Sequence, residues 1–88
     1  MGYKAFIQNK SKTTFNGCVK LTFTGKINSI TEANGFSDIP IKKATPIECN
    51  NILAMADTPD FYGSIVLEFT EGQMSGYAYS RRVNYADL

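Results

Sequence analysis

The side chains with chemistry to offer are a handful of carboxylates, two thiols and a short run of tyrosines and arginines; histidine is absent altogether. Without His the commonest general base and metal ligand is missing, and Ser-His or Cys-His nucleophilic chemistry is excluded. Cys18 and Cys49 stand alone, with no CxxC spacing and no imidazole to complete a zinc set, so no metal site is expected. Asp57 and Asp60, three apart across Thr58-Pro59, are the closest pair of acids for acid–base work. Acids in such a place after a helix serve far more often as a polar cap and turn. Glu68 sits inside an apolar stretch and is expected to be partly buried beside a cross-strand Lys or Arg. The seven glycines form neither GxGxxG nor GxxxxGK, so no phosphate-cradling loop is present. The expectation is a protein that is not an enzyme and carries no cofactor.

Binding chemistry is better represented. Tyr77-Ala78-Tyr79-Ser80-Arg81-Arg82 places two aromatics at i, i+2 with cations following, the pattern that single-stranded nucleic acid binders lay on a sheet. Aromatic strand packing explains the same residues without a ligand, because no RNP-like flanks or net basic charge accompany them. Together with the Lys-rich N-terminal half, the strip also suits a small anionic ligand such as a nucleotide.

These residues belong to the chain's strongest structural signal, a β-hairpin over residues 64–83 turning near Glu71-Gly72 and apolar on both faces. A two-residue turn would pair Phe69 with Met74 and Leu67 with Gly76, but it asks Glu71 for a positive φ. A three-residue loop with Gly72 in the left-handed region avoids that and is preferred. It gathers Ile65, Leu67, Phe69, Tyr77 and Tyr79, with Val83, on one face. Val66, Glu68, Met74, Gly76 and Ala78 then occupy the other, where the small residues would let a helix approach. The competing arrangement sets the helix on the bulky face and leaves Val66, Met74 and Ala78 as a patch. Either way one apolar face lacks a cover, which suggests a bound partner.

The elements that must position this hairpin are shorter. Residues 3–9 are apolar at both parities (Tyr3, Ala5, Ile7 and Phe6) and read as a strand touched on two sides. Residues 18–24 alternate cleanly, Val19, Leu21 and Phe23 one way and Cys18, Lys20, Thr22 and Thr24 the other, as a half-buried antiparallel strand does. Asn16-Gly17 supplies a turn at its start. Residues 27–30 and 39–43 suggest a weak second hairpin whose Pro40 confines it to an edge. Thr45-Pro46-Ile47-Glu48 is a helix start, with a capping box and Pro at the first helical position. Cys49, Ile52, Leu53 and Ala56 follow as one apolar stripe, stopped by Asp57-Thr58-Pro59-Asp60.

The pattern predicts a single α+β domain over residues 1–88: an antiparallel sheet of about four to five strands with one short helix on one face, ordered β-β-(β-β)-α-β-β. A chain of 88 residues buries only about 60–65% of its unfolded surface, so self-association would help it. The longest apolar run, Ile65-Val66-Leu67, is far short of the roughly 20 residues that span a bilayer, and the N-terminal residues lack a signal core. Two unmatched cysteines suit reduced thiols, and a cytoplasmic location with no membrane partner is expected. Net charge is +1, yet residues 1–43 carry +5 and residues 44–88 carry −4. Lysines that block strand edges account for that split, as would a surface that steers an anionic partner.

The function expected from this sequence is binding without catalysis: an inhibitor or adaptor of the kind phages and mobile elements encode, which occludes or sequesters another protein or pairs with itself as a homo-oligomer. Tyr77, Tyr79, Arg81, Arg82, Val66 and Met74 are the expected contacts. The alternative is a nucleic acid or nucleotide held by Tyr77, Tyr79, Arg81 and the lysines.

Overall fold

A computed structural model describes residues 3–81 of the chain. The α+β class and the antiparallel sheet are as expected, with five strands and two helices. Helix α1 is Tyr3–Ser11, strand β1 is Gly17–Thr24 and β2 is Ile27–Ala33. Strand β3 is the two-residue Lys42–Lys43, helix α2 is Pro46–Met55, β4 is Tyr62–Thr70 and β5 is Gln73–Arg81. Across the sheet the order is β2-β1-β4-β5-β3, and every pairing is antiparallel.

The first element is a helix where the sequence suggested a strand. Tyr3, Phe6 and Ile7 appear apolar at both strand parities because they are spaced i, i+3, i+4, the stripe of a helix. Tyr3 and Ile7 are buried, and the Tyr3 ring stands edge-on against Phe23 with centroids 5.3 Å apart. Helix α2 begins as its sequence dictates. The Glu48 amide donates to Thr45 Oγ1 at 3.2 Å and the Thr45 amide donates to Glu48 Oε1 at 2.9 Å. Both helices cover one face of the sheet, where Tyr3, Ile7 and Cys49 join Val19, Leu21, Phe23, Phe61, Ile65, Leu67, Phe69 and Met74 in one core. Of the two arrangements open to α2, the fold adopts the bulky face.

The anticipated second hairpin does not form. Residues 27–33 pair instead with β1 through the tight connection at Gly25-Lys26, with Leu21 opposite Ile30. Lys42 and Lys43 lie at the far side of the sheet, opposite Tyr77 and Gly76 of β5. Because β2 and β3 form opposite edges, residues 34–41 must cross the whole sheet. They do so over the face away from the helices. Lys20 Nζ lies 6.0 Å from the Phe36 ring, and Ile41 comes so close to Gly76 that a Cβ there would sit 2.8 Å from Ile41 Cγ2. The second cover missing from the sequence reading is therefore the chain's own crossover.

The last hairpin reaches the expected face by an unexpected route. Thr70 pairs with Gln73, so Glu71-Gly72 is a two-residue turn with both φ values positive, 52° and 81°. The strain at Glu71 is held by Asn16. Its Oδ1 accepts from the Glu71 amide and its Nδ2 donates to Glu71 Oε2, each at 3.0 Å. Gly72 donates to the Phe15 carbonyl at 2.9 Å. That turn alone would have put Tyr77 and Tyr79 on the wrong face. A bulge restores parity: Glu68 pairs with Gly76 and Phe69 with Met74, leaving Ser75 as the extra residue of β5. Leu67 then faces Tyr77 and Ile65 faces Tyr79. Val83 lies outside the described residues.

Candidate functional site

The crossover leaves one gap. Strand β3 stops after two residues because Pro40 has no N–H to continue a ladder. Upstream of Lys42 the chain peels off the edge of β5 and onto the second face. Between the peeling segment and β5 lies a groove of about 610 Å³. Val66 and Ala78 line it from the sheet, Ile39 and Pro40 from the crossover, and Asp38 and Lys42 bring opposite charges to it. It follows the outer edge of β5 from Tyr77, the last residue that β3 pairs, to Ser80.

The structure divides the six anticipated contact residues. Tyr77, Tyr79 and Val66 meet at the groove. Tyr77 is half-buried against the helix-side core with Lys42 Nζ 5.9 Å from its ring centre, while Tyr79 is 50% exposed. Arg81 is exposed at the end of β5. Met74 does not belong with Val66: the two-residue turn sets it on the helix side, where it is buried opposite Phe69. Arg82 lies outside the described residues. The lining contributed by Asp38, Ile39 and Pro40 escaped sequence reasoning, because only the crossing path brings residues 38–40 beside residues 77–80. Pro40 was the one available signal.

No protein-family model matches this chain, and no curated protein or solved structure does so at a significant level. The site must be read from its own geometry.

The candidate chemical groups lie elsewhere. Asp57 is bound to Lys4 at 2.7 Å, which ties α1 to the turn after α2. The Asp57 carboxylate and its hydrogen bond hold the Lys4 ammonium above its ordinary range. Among the described residues no group of three Cys, Asp or Glu side chains converges to hold a metal ion. Glu68 has Lys43 as its cross-strand cation at 3.8 Å, a loose pair with the lysine almost fully in solvent. Its Oε1 is buried without a hydrogen-bond partner among the described residues. Cys18 and Cys49 are free and buried on opposite sides of the sheet, Cys18 beside Glu68 and Cys49 on α2 with its thiol donating to the Gly76 carbonyl at 3.6 Å. Burial raises both thiol pKa values, with the Glu68 charge adding to it at Cys18 and that of Glu48 at Cys49. Thiols held protonated in this way make poor nucleophiles. None of the described helices is long and apolar enough to cross a membrane.

Proposed function

We propose that this is a non-enzymatic binding protein of the inhibitor or adaptor type, and that the groove along β5 holds an extended segment of a partner protein. The observation that carries the reading is the groove itself: an apolar lining of Val66, Ala78, Ile39 and Pro40 beside a stretch of strand edge that β3 does not reach. A strand edge next to side-chain pockets is what an added peptide strand requires. Main-chain hydrogen bonds supply affinity and the pockets supply choice. Tyr79, exposed and with only two side-chain torsions to immobilise, is suited to anchor such a contact.

Capture from the native host with the tagged chain, followed by mass spectrometry, tests this when run beside two variants. Ala78→Arg fills the groove and is expected to lose the partner; Thr14→Arg, on the exposed loop after α1, is expected to keep it. A partner retained equally by Ala78→Arg contradicts the reading.

A single-stranded nucleic acid is the second reading, supported by the open ring of Tyr79, with Lys42 of β3 lining the same groove and Arg81 two residues on along β5. It requires affinity for oligonucleotides that falls with added salt and with Tyr79→Ala. Affinity indifferent to both counts against it.

A further inference from the structure

Of the longer strands, β2 is the one that the fold covers least. Residues 28–32 are exposed without exception, and the strand packs on β1 and hardly anything else. It forms one edge of the sheet, so the outward row of its backbone N–H and C=O groups meets no strand among the described residues. Proteins blunt such edges with Pro, Lys or bulges. Here Lys26 precedes the strand and a bulge lies at its start, but residues 29–33 contain no such device. The one charge, Glu32, is already held by Lys10 at 2.8 Å.

We propose that β2 pairs antiparallel with β2 of a second copy of this chain, about a two-fold axis through Ile30. The register complements itself. Ile30, one of the few large apolar side chains left in solvent at 36% exposure, meets its own counterpart. Ser29 meets Thr31, two hydroxyls able to bond across the strands, and Glu32 comes opposite Asn28. Neighbouring registers are worse: moving the axis to Thr31 sets Ile30 against Glu32, and moving it to Ser29 sets Ile30 against Asn28. Because the axis is normal to the sheet, both copies keep their helices on the same side. The product is a continuous ten-stranded sheet with four helices on one face and a groove at each outer edge. An isologous contact of this kind closes on itself and forms no fibre.

Sedimentation equilibrium of the full chain tests the assignment. The wild type is expected at twice the chain mass, and Ile30→Lys, with like charges facing each other across the axis, at the chain mass. Mixing Ile30→Lys with Ile30→Glu is expected to restore the doubled mass. Because both native thiols are buried, Ile30→Cys adds the only accessible one. Mild oxidation should link two chains through it but not through Ser37→Cys, exposed on the crossover. A wild type that remains a monomer at high concentration, or an Ile30→Lys variant that dimerises with an unchanged circular dichroism spectrum, would overturn the proposal. Neither result bears on the groove, which lies at the opposite edge of the sheet.

Discussion

Gly72 is a residue whose replacement the fold tolerates poorly. Its φ of 81° is left-handed, and a Cβ there would collide with the Thr13 carbonyl, so the loop after α1 is seated on a backbone with no side chain. Gly72→Ala is expected to cost at least about 2 kcal/mol, measured by denaturant unfolding, because strain and collision act together. Tyr3 points the other way. Its hydroxyl is buried with no hydrogen-bond partner among the described residues, and burial, aided by the Asp57 charge, raises its pKa. Tyr3→Phe keeps the ring on Phe23 and removes an unsatisfied group, so it is expected to be neutral or stabilising by about 1 kcal/mol in the same assay. The two thiols provide a third check. Cys18 and Cys49 should react with a maleimide far more slowly in the native chain than in denaturant; equal rates would show that their burial is wrong.

Among the elements, α2 depends most visibly on its cap. Thr45→Ala removes one half of the capping box and is expected to lower stability by about 1 kcal/mol. The same box sets a pH dependence. Hydrogen bonds from Thr45 hold the Glu48 carboxyl below its ordinary pKa, so the folded state favours the ionised form. That contribution is present above the unfolded carboxylate pKa and is lost as pH falls through the lower folded value. Glu48→Gln should therefore flatten the acid limb of a melting-temperature profile; an unchanged limb would show that the box contributes nothing in solution.

The capped helix was fully legible in the sequence, because its signals are local and reinforce one another. So was β1, whose alternation has a period no helix shares. Helix α1 was not, since a nine-residue element with only Tyr3, Phe6 and Ile7 for a stripe fits either period. The last hairpin shows a subtler limit. Avoiding positive φ at Glu71 points to a three-residue loop that does not form, although that loop and the true turn with its bulge place the tyrosines on the same face. Asn16, distant in sequence, bears the strain, and Ser75 supplies the parity change. Neither effect is visible from hairpin residues alone.

At the scale of the molecule, the split of charge along the chain is partly neutralised by folding. Lys4, Lys10 and Lys43 from the basic half meet Asp57, Glu32 and Glu68, and Lys42 lies near the Tyr77 ring. Glu32 apart, these partners come from the acidic half. The sheet that seemed to have a bare apolar face is covered by two helices on one side and by the 34–41 crossover on the other. Among the described residues, what remains open is at its margins: the β5 groove, where Pro40 lets the crossover peel away, and the whole outer edge of β2. Most of the candidate site was legible as residue types in Tyr77, Tyr79, Arg81 and Val66. The half supplied by residues 38–40 was not, because its place depends on strand order, which no local pattern encodes. The central claim is that partner binding occurs in that groove. Amide chemical shifts of the ¹⁵N-labelled chain, followed as the captured partner is added, test it most directly. The account predicts shifts concentrated at Asp38, Ile39, Lys42 and at Ala78, Tyr79, Ser80 and Arg81; shifts confined to the helices, with these amides unmoved, would contradict it.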